Sequence, residues 1–133
     1  MAEEGPVTRA IRASLTPGQT LFTPTARAPF RIEFETEGVV LLLGKGEHRT
    51  RLSWDCLDGV VPFIASAGGN VRIGGLNDVE GNPGTLDEYL KGFTTTNTAG
   101  WVAALLEAAG ILELIDERPA RVRIRVAGVE NAS

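Results

Sequence analysis

The stretch from residue 30 to 43 constrains the fold most. Phe30, Ile32 and Phe34 alternate with Arg31, Glu33 and Glu35, and five apolar residues, Val39 to Leu43, follow without a break. Period-two alternation puts the first three apolar side chains on one face of a strand. Glu37-Gly38 between the runs is turn chemistry, so together they predict a β-hairpin. Gly44-Lys45-Gly46 ends the second strand, His48 to Leu52 predicts a third, and Leu21 to Thr23, stopped by Pro24, a fourth. The expectation is an antiparallel meander over residues 19–52 with one apolar face that another layer must cover. Residues 1–18 mix charges with Pro6 and Pro17. Ile11 and Leu15 are spaced for a helical turn, but the segment shows no sustained period and is expected to be a flexible amino-terminal tail.

Helical signals begin at Ser53, an N-cap residue followed by Asp55 in the first turn. Trp54, Leu57, Val61 and Ile64 recur at helical spacing, with Val60 beside them, and Pro62 predicts a kink or break there. Val71-Arg72-Ile73 reads as a very short strand. The composition of residues 74–84, with four glycines, Asn82 and Pro83, is that of a loop. Thr85 and Glu88 make a capping box for a short helix carrying Leu86, Tyr89 and Leu90. A further helix ends at Ala109, with Trp101, Val102, Leu105, Leu106 and Ala109 as its apolar stripe and Gly110 as its stop. Ile111 to Ile115, a turn at residues 116–119, and Val122, Ile124 and Val126 alternating with Arg121, Arg123 and Arg125 predict a second hairpin.

From Ser53 onward the order is helix, short strand, helix, turn, helix and two-stranded ribbon. This order resembles the winged helix-turn-helix superfamily, and residues 101–113 look like its third helix and first wing strand. The loop at 74–84 is longer than the family usually has, and Pro62 is a second departure. The expected class is α+β: an amino-terminal antiparallel β-meander packed on a winged-helix-like unit of helix, short strand, two helices and β-hairpin wing. The divisions are a tail (1–18), the meander (19–52), the winged-helix-like unit (53–127) and a carboxy-terminal tail (128–133), in one compact domain overall. The resemblance implies a non-enzymatic DNA-binding protein. The alternative is a protein-interaction or dimerisation module on the same scaffold.

Composition narrows the chemistry. The 133 residues hold one cysteine, Cys56, and one histidine, His48, which excludes a disulfide framework and a Cys/His zinc cluster. No apolar run reaches 18 residues, and Met1 to Gly5 carries no signal-like segment, so a cytoplasmic protein without membrane association is expected. The glycine-rich loop lacks the lysine of a phosphate loop. Asp78, Glu80 and Asn82 begin like a calcium loop, but Pro83 and Tyr89 stand where Gly and Glu are needed. Cys56 lies beside Asp55 and near Asp58, which oppose a thiolate, so it reads as apolar filler. His48 has no nucleophile pattern around it. No catalytic residue, metal or cofactor is expected.

Arginines are the better lead. The net charge is -4, yet residues 117–125 hold four arginines against one glutamate. Arg118, Arg121, Arg123 and Arg125 are the expected phosphate contacts, with Arg49 and Arg51 as a second basic cluster. Asn97 and Thr98, at the start of the third helix, would approach a groove. Against this, if that helix read a groove, its outward positions, Asn97, Gly100, Ala103, Ala104 and Glu107, would offer no Arg or Lys for guanine. A smooth Gly/Ala face equally suits close packing against another helix. The arginines equally suit pairing with Glu113, Asp116, Glu33 or Glu35. A partner of either kind, DNA or a protein, is compatible with this pattern, as is a homodimer.

Overall fold

The computed structural model describes residues 5–23, 27–44, 46, 48–73, 84–93, 98–117 and 120–125. Asn97, Arg118, the loop residues Asp78, Glu80 and Asn82, and the expected tail 128–133 lie outside them. The described elements are α1 (Pro6–Ser14), β1 (Thr20–Phe22), β2 (Pro29–Glu35), β3 (Gly38–Leu43), β4 (His48–Ser53), α2 (Trp54–Asp58), α3 (Val60–Ser66), β5 (Asn70–Arg72), α4 (Leu86–Leu90), α5 (Ala99–Ala108), β6 (Leu112–Glu117) and β7 (Ala120–Ile124). The class is α+β: a four-stranded antiparallel meander ordered β1-β2-β3-β4, followed by helices and a second sheet ordered β5-β7-β6.

In the meander, Glu35 pairs with Gly38, so the turn is Thr36-Glu37 and Gly38 belongs to the strand. A Cβ at Gly38 would run into the backbone oxygen of Leu52, which is why glycine stands there. Phe30, Ile32, Val39, Leu41 and Leu52 face the core. The outer face carries two buried apolar residues, Val40 and Leu42. Glu33 and Arg51 flank Val40 across the strands, and Arg31 and Arg49 flank Leu42. The long aliphatic stems of such neighbours suit them to cover apolar surface while their charged ends stay wet.

The expected tail is a helix from residue 6 to 14. Val7 and Ile11 are fully buried and Leu15 nearly so, all within the core cluster. Pro6 starts α1 at a position where its missing N–H costs nothing. Gly5 has no side chain to cap the helix, and Asp58 supplies the cap from the end of α2. Its carboxylate accepts from the Thr8 backbone N–H (2.9 Å) and the Thr8 hydroxyl (2.8 Å). So short a helix is marginal alone, and docking on α2 and α5 makes it.

The break predicted at Pro62 falls three residues earlier, at Gly59. Pro62 cannot donate to the carbonyl four residues back, so continuity is lost upstream of it. Pro62 thereby sits in the first turn of α3, where a backbone N–H would have no helical partner anyway. A Cβ at Gly59 would strike the Tyr89 hydroxyl. That hydroxyl donates to the Cys56 carbonyl at 2.7 Å and tethers α4 to α2. Both predicted caps form: Ser53 Oγ accepts from Cys56 N and Thr85 Oγ1 from Glu88 N. Glu88 completes its box one residue early, accepting from Gly84 N at 2.8 Å.

Helix α5 packs against α1, α4, β1 and β6. Val102, Leu105 and Leu106 are fully buried as the stripe predicts, but so is Ala103, and Ala104 is 4 % exposed. Of the two readings of this Gly/Ala face, burial favours close packing over an outward surface, and α1 and β1 are among the elements that α5 contacts. Glu107 and Ala108 are exposed and Gly100 half-buried. One cluster of buried residues runs from Val7 through the meander and α2–α5 to Val122.

Candidate functional site

A row of arginines lies on the outer face of the β5-β7-β6 sheet. Val71, Leu112 and Val122 are buried on the other face, and alternation sends their neighbours outward. Two rows cross the sheet. Asn70, Arg123 and Glu113 share one; Arg72, Arg121 and the backbone of Asp116 share the next, beyond a bulge at Ile115. Arg125 continues the line past β7, its N–H bonded to the Ile111 carbonyl, and its side chain is exposed. Two-residue spacing along β7 separates successive arginines by about 6.7 Å.

These arginines are anchored unequally. Arg121 is half-buried and donates from Nη1 to Asn70 Oδ1 at 2.7 Å, a neutral partner that orients the guanidinium. Arg123 donates from Nε to Glu113 Oε1 at 2.7 Å, with the two side chains 53 % and 40 % exposed. An ion pair so exposed contributes only about 0–1 kcal/mol. Arg72 is also engaged in the structure. Over Arg72, Arg121, Arg123, Arg125, Glu113 and Asp116 the formal count is four positive charges against two negative.

Other predicted site residues fall elsewhere. Arg49 and Arg51 belong to the outer face of the meander, a different sheet. Arg51 donates from Nε to Glu35 Oε1 at 3.1 Å, and both arginines flank the buried Val40–Leu42 pair. Thr98 is fully buried, which removes it from any groove-facing role, and its hydroxyl has no hydrogen-bond partner among the described residues. Asn70 and Arg72 were missed. The alternation around Val71 marks β5 as a strand, but nothing local says it pairs with β7 fifty residues later.

Cys56 is fully buried, and burial pushes its thiol up to about 11, which leaves it protonated and unreactive at neutral pH. Tyr89, stacked on Phe63 with ring centroids 5.0 Å apart, is pushed up to about 12 by burial and by the charges of Cys56 and Asp58. Among the described residues no three His, Cys, Asp or Glu side chains come together as a metal site. His48 is exposed at the end of β4.

Two shallow depressions flank the β2–β3 turn. Arg12, Phe34, Glu35, Thr36 and Glu37 line one, while Phe93, Arg51 and Ser53 join Glu35 and Glu37 around the other. Trp54 supports the turn by donating from Nε1 to the Thr36 carbonyl at 3.1 Å, with the Arg12 guanidinium over its ring at 4.8 Å. Phe93 is 53 % exposed. Each is lined by one arginine and by the same two glutamates, Glu35 and Glu37. No helix among the described residues is long and apolar enough to cross a membrane. Comparison with protein-family models, with curated proteins and with solved structures gives no match.

Proposed function

We propose that the chain is a non-enzymatic, cytoplasmic nucleic-acid-binding protein of winged-helix type that grips the phosphate backbone through the outer face of β5-β7-β6. The observation that carries this reading is the arrival of Arg72 from β5 beside Arg121, Arg123 and Arg125, a local excess of positive charge on a chain of net charge -4. The strand order supports the scaffold: the short strand after the first helical segment pairs with the last strand, so the hairpin and the helices form one unit. Guanidinium groups suit bidentate phosphate contacts. Among the described residues the face presents arginines, Asn70 and Glu113 and no aromatic side chain on which bases could stack, which favours a duplex backbone over a single strand. Burial of Ala103 and Thr98 removes α5 as a groove-reading helix, so the binding carries little sequence preference.

The test is fluorescence anisotropy of a labelled random duplex at 50 and 200 mM salt. Three to four phosphate contacts give a log–log salt slope near -3, or about sixtyfold weaker binding across that range. Arg121→Ala/Arg125→Ala abolishes binding at 200 mM salt while the chain stays folded. Folded wild-type protein that does not bind at 50 mM salt refutes the reading. The second reading, a protein-interaction or dimerisation module, is favoured by the exposed Phe93 beside the β2–β3 turn and by the enclosure of α5.

A further inference from the structure

We infer, on the footing of the proposed backbone contact, that Glu113 is an internal phosphate surrogate that holds one arginine of the face out of use and so sets its affinity. Glu113 stands directly opposite Arg123 across β6–β7, and its Oε1 accepts from Arg123 Nε at 2.7 Å, the length of a charge-assisted bond. The carboxylate occupies the position on that guanidinium which a phosphate oxygen would take. Arg121, the next residue of β7 on the same face, donates to the neutral Asn70 oxygen. The two side chains of the Arg123–Glu113 pair are 53 % and 40 % exposed, so an incoming anion can reach it and must displace the glutamate to use Arg123 fully. Arg123 is therefore a contact in reserve. Anything that neutralises Glu113 releases it.

Glu113→Gln tests this with little disturbance, because glutamine keeps both the length and an oxygen that accepts from Arg123. Affinity for a labelled random duplex is measured against salt for the full chain, this variant and Glu107→Gln, which removes the same charge from the exposed end of α5. Glu113→Gln tightens binding at 50 mM salt about two- to fivefold, the worth of an exposed ion pair. It also steepens the log–log salt slope by about 0.9, one additional phosphate. Glu107→Gln changes the affinity less than twofold and leaves the slope alone. Arg123→Gln in the wild-type background has little effect, and in the Glu113→Gln background it reverses the gain. Equal behaviour of the two glutamine variants, or an unchanged slope, overturns the inference and leaves the backbone contact standing. No binding by either the wild type or Glu113→Gln overturns both. Binding by Glu113→Gln alone supports both.

Discussion

Asp58→Ala is expected to loosen α1 from the rest of the chain, and the structure sets the size of the effect. The Asp58 carboxylate accepts two hydrogen bonds, from the Thr8 backbone N–H and the Thr8 hydroxyl, and it is the cap that Gly5 cannot provide. Loss of a helix cap costs about 0.5–2 kcal/mol, and a hydrogen bond to a charged acceptor contributes about 1.5–3 kcal/mol. Asp58 is only half-buried, so the lower ends apply and the two effects together come to about 2–3 kcal/mol. For a chain of this length that is a fall of roughly 6–12 °C in Tm. The apolar anchors Val7, Ile11 and Leu15 remain, so the helix loosens at its start without leaving altogether. Urea unfolding followed by tryptophan fluorescence measures the loss, and trypsin cleavage at Arg9 and Arg12 reports α1 locally. Thr8→Val removes the hydroxyl alone and is expected to cost about 1 kcal/mol, with a similar coupling to Asp58→Ala in a double-mutant cycle. A loss below 0.5 kcal/mol for Asp58→Ala, or strict additivity in the cycle, would refute the capping argument.

Two further outcomes follow from burial. Ala103→Lys is expected to destabilise the chain by more than 3 kcal/mol or prevent folding, because the position is fully enclosed; a stable variant with unchanged Tm would return α5 to the surface. Tyr89 ionises near 12 in the folded chain against about 10 when unfolded, so its contribution is intact below pH 10 and is lost as pH rises from 10 through 12. Unfolding free energy measured from pH 9 to 11.5 should fall more steeply for the wild type than for Tyr89→Phe. Parallel curves would contradict the shift.

What could be read from the residues divides along a physical line. The caps at Ser53 and Thr85, the alternation at Phe30-Ile32-Phe34 and the stripe on α5 are local codes, and each describes the element it sits in. Helix α1 has no such code: Val7, Ile11 and Leu15 are too few to define a period, and their burial depends on α5, some ninety residues further on. Ala103 and Ala104 were open to either reading, outward or packed, because alanine is indifferent to solvent. Which face of an alanine-rich helix is covered is decided by its neighbours. The arginine row of β7 was legible from alternation alone, but its completion by Arg72 and its anchoring by Asn70 depend on β7 lying in the middle of the sheet, a long-range pairing. Pro62 was read as the point of rupture, whereas the bond it fails to make belongs to a carbonyl one turn earlier.

The placement of α1 also bears on how the chain is synthesised. Its capping carboxylate is fifty residues downstream and its packing surface on α5 lies further still. At about 5–20 residues per second, a ribosome needs roughly 5–20 s between finishing α1 and finishing α5. Until α5 is made, Val7, Ile11 and Leu15 lack part of the surface that buries them, and nine residues do not hold a helix unaided. The segment made before every other described element is thus among the last to be buried, a waiting apolar strip that a chaperone or a neighbouring nascent chain meets before α5 does.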